Sequence, residues 1–220
     1  MREIGAGFAS RLHTTGLLAA GRLSIRYEAQ VGAMQHPVDG DGELARIELG
    51  RPSRYCESDR LAAVAASELA GLSGLELLDT VRQWVWSHIR YVSGSSRHTD
   101  GAVSTYLTRE GVCRDFAHLV AALLRARDVP ARGVSVYAPG LDPMDFHAVT
   151  EAWVDGAWYV VDATGLAPRT SMVRICTGRD AADTAFMTAQ GGWVELDAIE
   201  IVAVAQPLLP VDLGGPAHLT

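Results

Sequence analysis

The dipeptide Asp155-Gly156 separates two apolar runs, Phe146–Val154 and residues 158–162. Asp-Gly suits the two-residue turn that joins neighbouring antiparallel strands, because both central positions of that turn need positive φ. The turn therefore predicts a hairpin, and the hairpin predicts a register. With Val154 opposite Ala157, Val149 faces Asp162 and His147 faces Thr164. Side chains alternate with period two, so His147 shares a face with Val149. His147 and Asp162 are then diagonal neighbours, roughly 7–8 Å apart at Cα and within reach of an imidazole–carboxylate hydrogen bond. A four-residue loop keeps this parity and a three-residue loop destroys it.

The segment before the hairpin reads as a helix over residues 114–127. Ala117, Val120, Ala121 and Leu124 recur at helical spacing, and Pro130 stops the run. Cys113 lies four residues before Ala117, on the same face, at the helix start. Further helices are predicted over 61–69 and 75–89, the second from Leu77, Leu78, Val81, Trp84 and Val85. Strands are predicted at 131–138, 146–154, 158–162, 172–176 and 193–204. A helix cluster followed by an antiparallel meander is an α+β architecture, with the helix that begins at Cys113 packed on the sheet. Residues 1–50 read as a short β-rich segment, with strands at 23–29 and 43–49 around a turn-rich loop from His36 to Gly42. Residues 51–220 form the main domain. No internal repeat or low-complexity segment interrupts it.

Charge narrows the chemistry. All 19 cationic side chains are arginine, and the chain has no lysine. That excludes a Schiff-base enzyme, a phosphate-binding P-loop lysine and self-crosslinking through the chain's own lysines. A net charge of −7 without a basic run argues against nucleic acid as a partner. No apolar stretch approaches the roughly 20 residues that span a bilayer. The first residues lack the apolar core of a signal peptide, so no membrane association and a cytoplasmic location are expected.

Three cysteines, Cys56, Cys113 and Cys176, are too few and scattered for a disulfide framework, and no CxxC pair supports zinc. A nucleophilic thiol is the alternative. In the first turn of a helix, unpaired N–H groups and the helix dipole favour thiolate over thiol. The same groups favour the oxyanion that forms when a thiolate adds to a carbonyl. The competing reading of Cys113 is a small buried apolar residue. The His147–Asp162 pair decides between them: a helix-start cysteine with an imidazole and a carboxylate on one sheet face describes a Cys-His-Asp triad.

The same residues resemble a family. Gly111-Val-Cys-Arg-Asp-Phe-Ala-His-Leu, Pro130-Ala-Arg, Asp145-Phe-His-Ala and Trp158-Tyr-Val-Val-Asp-Ala-Thr164 are similar to motifs of the bacterial transglutaminase-like superfamily, whose members are described generically as cysteine proteases. The resemblance extends through Pro52-Ser-Arg-Tyr-Cys-Glu-Ser-Asp59, Ile89-Arg-Tyr91 with Gly94-Ser-Ser96, and Thr177-Gly-Arg-Asp-Ala-Ala-Asp183, over about residues 51 to 193. It implies a papain/transglutaminase-like core and a catalytic domain over 51–220. It further implies Cys113 as nucleophile, His147 as base and Asp162 as its orienting carboxylate, with no metal or organic cofactor. Relatives of this type carry a longer β-rich region before the Pro-Ser-Arg-Tyr segment, so substrate surface supplied there is expected to be shortened.

Other candidates are weaker. Cys56 shows no His–Asp partner nearby, and Cys176 follows an apolar strand. Arg114 and Asp115 either place the nucleophile or pair with each other. His118 lies well around the helix from Cys113. Trp84 and Trp86 read as core and surface of one helix, although an indole N–H could serve an oxyanion, as in animal transglutaminases. Arg179-Asp180 could close one side of a cleft. Three activities remain open: a peptidase or amidase on a peptide or protein substrate, a protein-glutamine transglutaminase or deamidase with the same triad, and a binding module that keeps the fold without catalysis.

Overall fold

The computed structural model describes residues 1–8, 10–16, 21–32 and 42–219. Strands β1 (Arg2–Gly5) and β2 (Arg11–Thr14) form a hairpin, followed by helices α1 (Gly42–Leu49), α2 (Ala62–Glu68) and α3 (Gly74–His88). Two short segments, β3 (Arg90–Tyr91) and β4 (Glu110–Gly111), pair in parallel around helix α4 (Ala102–Thr108). Helix α5 (Cys113–Arg125) leads into the main sheet: β5 (Ala131–Tyr137), β6 (Phe146–Val154), β7 (Ala157–Val161) and β8 (Val173–Gly178). The sheet is antiparallel with order β7-β6-β5-β8. The architecture is α+β, as the pattern of elements predicts.

The β6–β7 hairpin has the predicted geometry. Asp155 and Gly156 adopt φ of 48° and 83°, and Val154 pairs with Ala157 and Thr150 with Val161. Each face of the sheet has its own core. Ala131, Ala152, Val154 and Val161 pack with Phe116, Leu119, Val120, Leu123 and Leu124 of α5 and with apolar residues of α2 and α3. Val134, Val136, Val149 and Val160 pack against Ala167, Met172, Ala217 and Leu219. The sheet is therefore sandwiched, which is why strands β5 and β6 carry apolar residues on both faces.

Both sheet edges are covered. On β7 the N–H of Val160 donates to the Ala217 carbonyl at 2.9 Å, and Nδ1 of His218 donates to the Trp158 carbonyl at 2.7 Å. On β8 the Ser10 hydroxyl donates to the Thr177 carbonyl and accepts the Thr177 N–H, each at 2.9 Å. Covering leaves fewer free backbone groups for stray strand pairing.

Three sequence expectations are corrected. Residues 43–49 form helix α1 rather than a strand. Glu, Leu, Ala and Arg are strong helix formers, and only Leu49 is buried while Leu44 and Ile47 stay exposed, so the apolar spacing lines no sheet. Residues 23–29 and 193–204 form no strand and join no ladder among the described residues. Their apolar side chains, Ile25 and Val202 among them, are exposed. Helix α4 and the β1–β2 hairpin have no counterpart in the sequence expectations. Of the predicted loop from His36 to Gly42, all but Gly42 lies outside the described residues. Among the described residues no helix is long and apolar enough to cross a membrane.

Candidate active site

Cys113 is the first residue of α5, and its neighbours explain why the helix starts there. Val112, extended at φ −111°, holds the N-cap position. Asp115, three residues on, accepts the Val112 N–H at 2.8 Å, while its own N–H donates to the Val112 carbonyl at 2.9 Å. This is the reciprocal logic of a capping box, with a carboxylate at the positive end of the helix. Asp115 is buried, and its second oxygen accepts the Ser96 hydroxyl at 2.9 Å. Arg114 lies 3.4 Å from that oxygen and donates to the Arg97 carbonyl at 2.8 Å. The two expectations for Arg114 and Asp115 thus hold together: they pair, and through the cap they set the position of Cys113. Gly111 is required by contact, since a Cβ there would lie 2.7 Å from Cβ of Asp115.

The hairpin delivers the partners. Nε2 of His147 lies 3.0 Å from Oδ2 of Asp162, and both residues are buried. The other carboxylate oxygen accepts the Thr164 N–H and the Thr164 hydroxyl, each at 2.8 Å. Asp162 is therefore held on both oxygens, and Nε2 of His147 is committed to it. With Nε2 so engaged, Nδ1 is the ring nitrogen left for another partner, and Cys113 is among the groups that raise the basicity of the imidazole. Burial lowers the basicity of His147. The hydrogen bonds and charges of Asp162 and Cys113 outweigh burial and push its pKa up to about 10. The balance favours the protonated ring beside the Asp162 carboxylate.

Thr164 belongs to this site and Tyr91 borders it, although the sequence reading gave neither a role. Thr164 is the last residue of the Asp-Ala-Thr motif and fixes the carboxylate. Tyr91 pairs with Gly111 across the β3–β4 ladder, two residues before the thiol, and its ring lies 6.0 Å from that of Phe116. Burial raises its pKa, as do the charges of Cys113, Asp145 and Asp115, partly offset by the backbone N–H of Cys113. Beside His147, Phe146 joins a chain of rings, 5.8 Å from Tyr137 and 5.2 Å from Phe186.

The remaining candidates gather elsewhere. Cys56 does have a histidine and an aspartate in its neighbourhood, contrary to the sequence expectation, because folding brings distant loops onto α5. Asp180 accepts the Tyr55 N–H and the Ala182 N–H, each at 2.9 Å. Nε2 of His118 accepts the Ala181 N–H at 3.2 Å, and its ring stacks on Tyr55. Arg125 donates to the Ala131 carbonyl and the Ser53 hydroxyl. This assembly is sealed. Burial pushes the Cys56 thiol up to about 12 and His118 down to about 3, so neither serves as nucleophile or base near neutrality. Arg179 is tied to Asp183 at 2.8 Å. Trp84 donates its indole N–H to Glu68 at 3.2 Å, and Trp86 is exposed. Cys176 is half-buried on β8, its thiol pKa raised by burial. Among the described residues no group of three or more His, Cys, Asp or Glu could hold a metal ion.

Comparison with known proteins places the chain. A candidate cysteine protease from Cytophaga hutchinsonii has a similar solved structure, with a TM-score of 0.62 and 42% identity over 68% of this chain and 52% of that one. An uncharacterized protein of Mycobacterium leprae is 28% identical over 148 residues, covering 63% of this chain and 53% of the relative. One of Mycobacterium tuberculosis is 38% identical over 84 residues, covering 36% of this chain and 27% of the relative. The chain thus spans about half the length of the first two and about a quarter of the third. The family model of the transglutaminase-like superfamily matches residues 63–163, the stretch that carries Cys113, His147 and Asp162. Over these residues the chain is similar to the transglutaminase-like superfamily.

Proposed function

We infer that this protein is a cysteine-dependent acyl-transfer enzyme that hydrolyses amide bonds of a peptide or protein through a thioester on Cys113. The observation that carries this reading is the buried His147–Asp162 pair, 3.0 Å apart, together with a cysteine, Cys113, that opens a helix and acts electrostatically on His147.

The steps follow from the roles of these atoms. Asp162 accepts a hydrogen bond from Nε2–H of His147 and stabilises the imidazolium, as Thr164 holds the carboxylate in place. His147 keeps its Nδ1 proton for the leaving group, and the sulfur of Cys113 adds to the carbonyl carbon. The carbonyl oxygen becomes an oxyanion near the backbone N–H of Cys113. Collapse expels the amine, protonated from Nδ1, and leaves a thioester. Water, deprotonated by His147, then releases the acid and restores the thiolate.

The test is product analysis with glutamine-containing peptides in the presence of a primary amine. Cleaved peptide with a new carboxylate, lost in Cys113→Ala, supports the amidase. Ammonia release with amine incorporation assigns the same site to transamidation. Neither product, with Cys113 no more reactive than a free cysteine, contradicts an acyl-transfer role.

A further inference from the structure

We propose that residues 23–31 are a self-complementary strand through which two copies of this chain pair, antiparallel, about a two-fold axis at Tyr27. The proposal does not depend on the acyl-transfer reading of Cys113.

Sequence pattern carries the first part. Leu23, Ile25, Tyr27, Ala29 and Val31 alternate without a break with Ser24, Arg26, Glu28 and Gln30, between Arg22 and Gly32. Strict alternation of this kind writes a strand with one face to be buried. In the single chain that burial is missing: residues 21–32 are exposed throughout and form no strand. Among the described residues, none of their backbone groups pairs with another backbone group. The run thus offers both free backbone and an uncovered apolar set, the two features that mark a surface made for association.

Register carries the second part and names the partner. Pairing between two copies of one strand is isologous: residue i meets j, and j meets i. Centred on Tyr27, it sets Leu23 opposite Val31, Ile25 opposite Ala29 and Tyr27 opposite its own copy. Arg26 then faces Glu28 of the second copy, and Glu28 faces Arg26. Opposite charges directly across a ladder favour it, and like charges oppose it. The neighbouring registers fail. A centre on Arg26 sets arginine against arginine, and one on Glu28 sets glutamate against glutamate. A centre between two residues turns the apolar set against the polar one. The single chain already holds Arg26 and Glu28 together, with Nη2 of Arg26 3.1 Å from the Glu28 carboxylate. That is the contact of side chains two apart on one face of a strand, and dimerisation closes it into a ring of alternating charges.

Surroundings carry the third part. A two-stranded ribbon alone is marginal in water and needs its apolar face packed. Arg22, at the head of the run, ion-pairs with Asp197. This brings in residues 193–204, where Val194, Leu196, Val202 and Val204 are exposed as well. Each copy thus supplies an apolar segment to lie against the ribbon.

The experiment exchanges charge in the full chain and reads mass. Sedimentation velocity of the wild type at about 100 µM should give a dimer, since a micromolar dissociation constant leaves little monomer there. Arg26→Glu and Glu28→Arg each set like charges opposite one another at both crossings, and each should weaken association about tenfold or more. Mixed in equal amounts, the two variants restore glutamate opposite arginine at every crossing. Native mass spectrometry should then show a heterodimer of one of each, at wild-type affinity. Unfolded variants could not rescue each other, so the mixture separates lost charge matching from lost folding. A monomeric wild type overturns the proposal and leaves the face to an unlike chain. Undiminished dimers of both single variants overturn it too, as do weakened variants that fail to associate on mixing.

Discussion

Val154 and Ala157 face each other across the Asp155-Gly156 turn, and this pairing brings His147 to Asp162. A shift of one residue in the register would turn His147 to the opposite face. The buried imidazole–carboxylate pair at 3.0 Å is thus specified by the hairpin. The thiol arrives separately, by the cap that starts α5.

Asp162→Asn is expected to retain the fold, since Thr164 still hydrogen-bonds the remaining carbonyl oxygen, while acylation of Cys113 falls by about 10⁴-fold through loss of the imidazolium's counter-charge and the correct tautomer. Thr164→Val is milder: it removes the hydroxyl donor at 2.8 Å but keeps the N–H. A net hydrogen bond of about 1 kcal/mol corresponds to a loss of about tenfold or less. Burst kinetics on the two variants check this order.

The raised pKa of His147, about 10 against 6.5 for an ordinary histidine, has a stability consequence with a definite sign. A group whose pKa rises on folding contributes stability that is fully present below the unfolded value and is lost as pH climbs towards the folded one. Wild-type protein should therefore lose stability between 6.5 and about 10 beyond what His147→Gln loses. Urea midpoints of the two proteins across that window measure the difference; parallel curves contradict the imidazolium.

Gly111→Ala forces a Cβ to 2.7 Å from Asp115, a side chain already held by Val112 and Ser96. Overpacking of this kind costs roughly 1–3 kcal/mol. Because the displaced group is the cap of α5, iodoacetamide labelling of Cys113 should slow as well. Chemical denaturation and labelling together separate a local shift from global unfolding.

Cys56→Ala should leave Cys113 labelling and acylation unchanged, at a stability cost of about 1 kcal/mol. Its thiol is buried and pushed up to about 12, so it labels only when the protein unfolds. Peptide mapping after native labelling shows this directly.

These features differ in how far local sequence could reveal them. Asp-Gly sets a turn and a turn sets a register, so the meeting of His147 and Asp162 was legible from short-range chemistry, as was the helix start at Cys113. Tyr91 was not, because its place depends on a two-residue parallel pairing with Glu110 and Gly111 that leaves no periodic pattern. The surroundings of Cys56 were hidden for a related reason: Asp180 reaches Tyr55 across a separation of 125 residues. Residues 43–49 satisfied strand and helix spacing alike, and α4, rich in Ser and Thr, lacks a strong apolar stripe. Where one element dictates its own geometry the sequence is readable, and where loops meet only through the folded core it is not.

The central claim is that Cys113 is a nucleophile activated by His147. The most direct measurement is residue-resolved iodoacetamide labelling of the folded protein, from about pH 4 to about pH 9, a range that brackets the ordinary histidine and cysteine pKa values. The account predicts that Cys113 labels faster than Cys56 and Cys176, stays reactive on the acid side of neutrality, and loses that acid-side reactivity in His147→Ala. Labelling of Cys113 that rises only at alkaline pH, and is indifferent to His147→Ala, would contradict it.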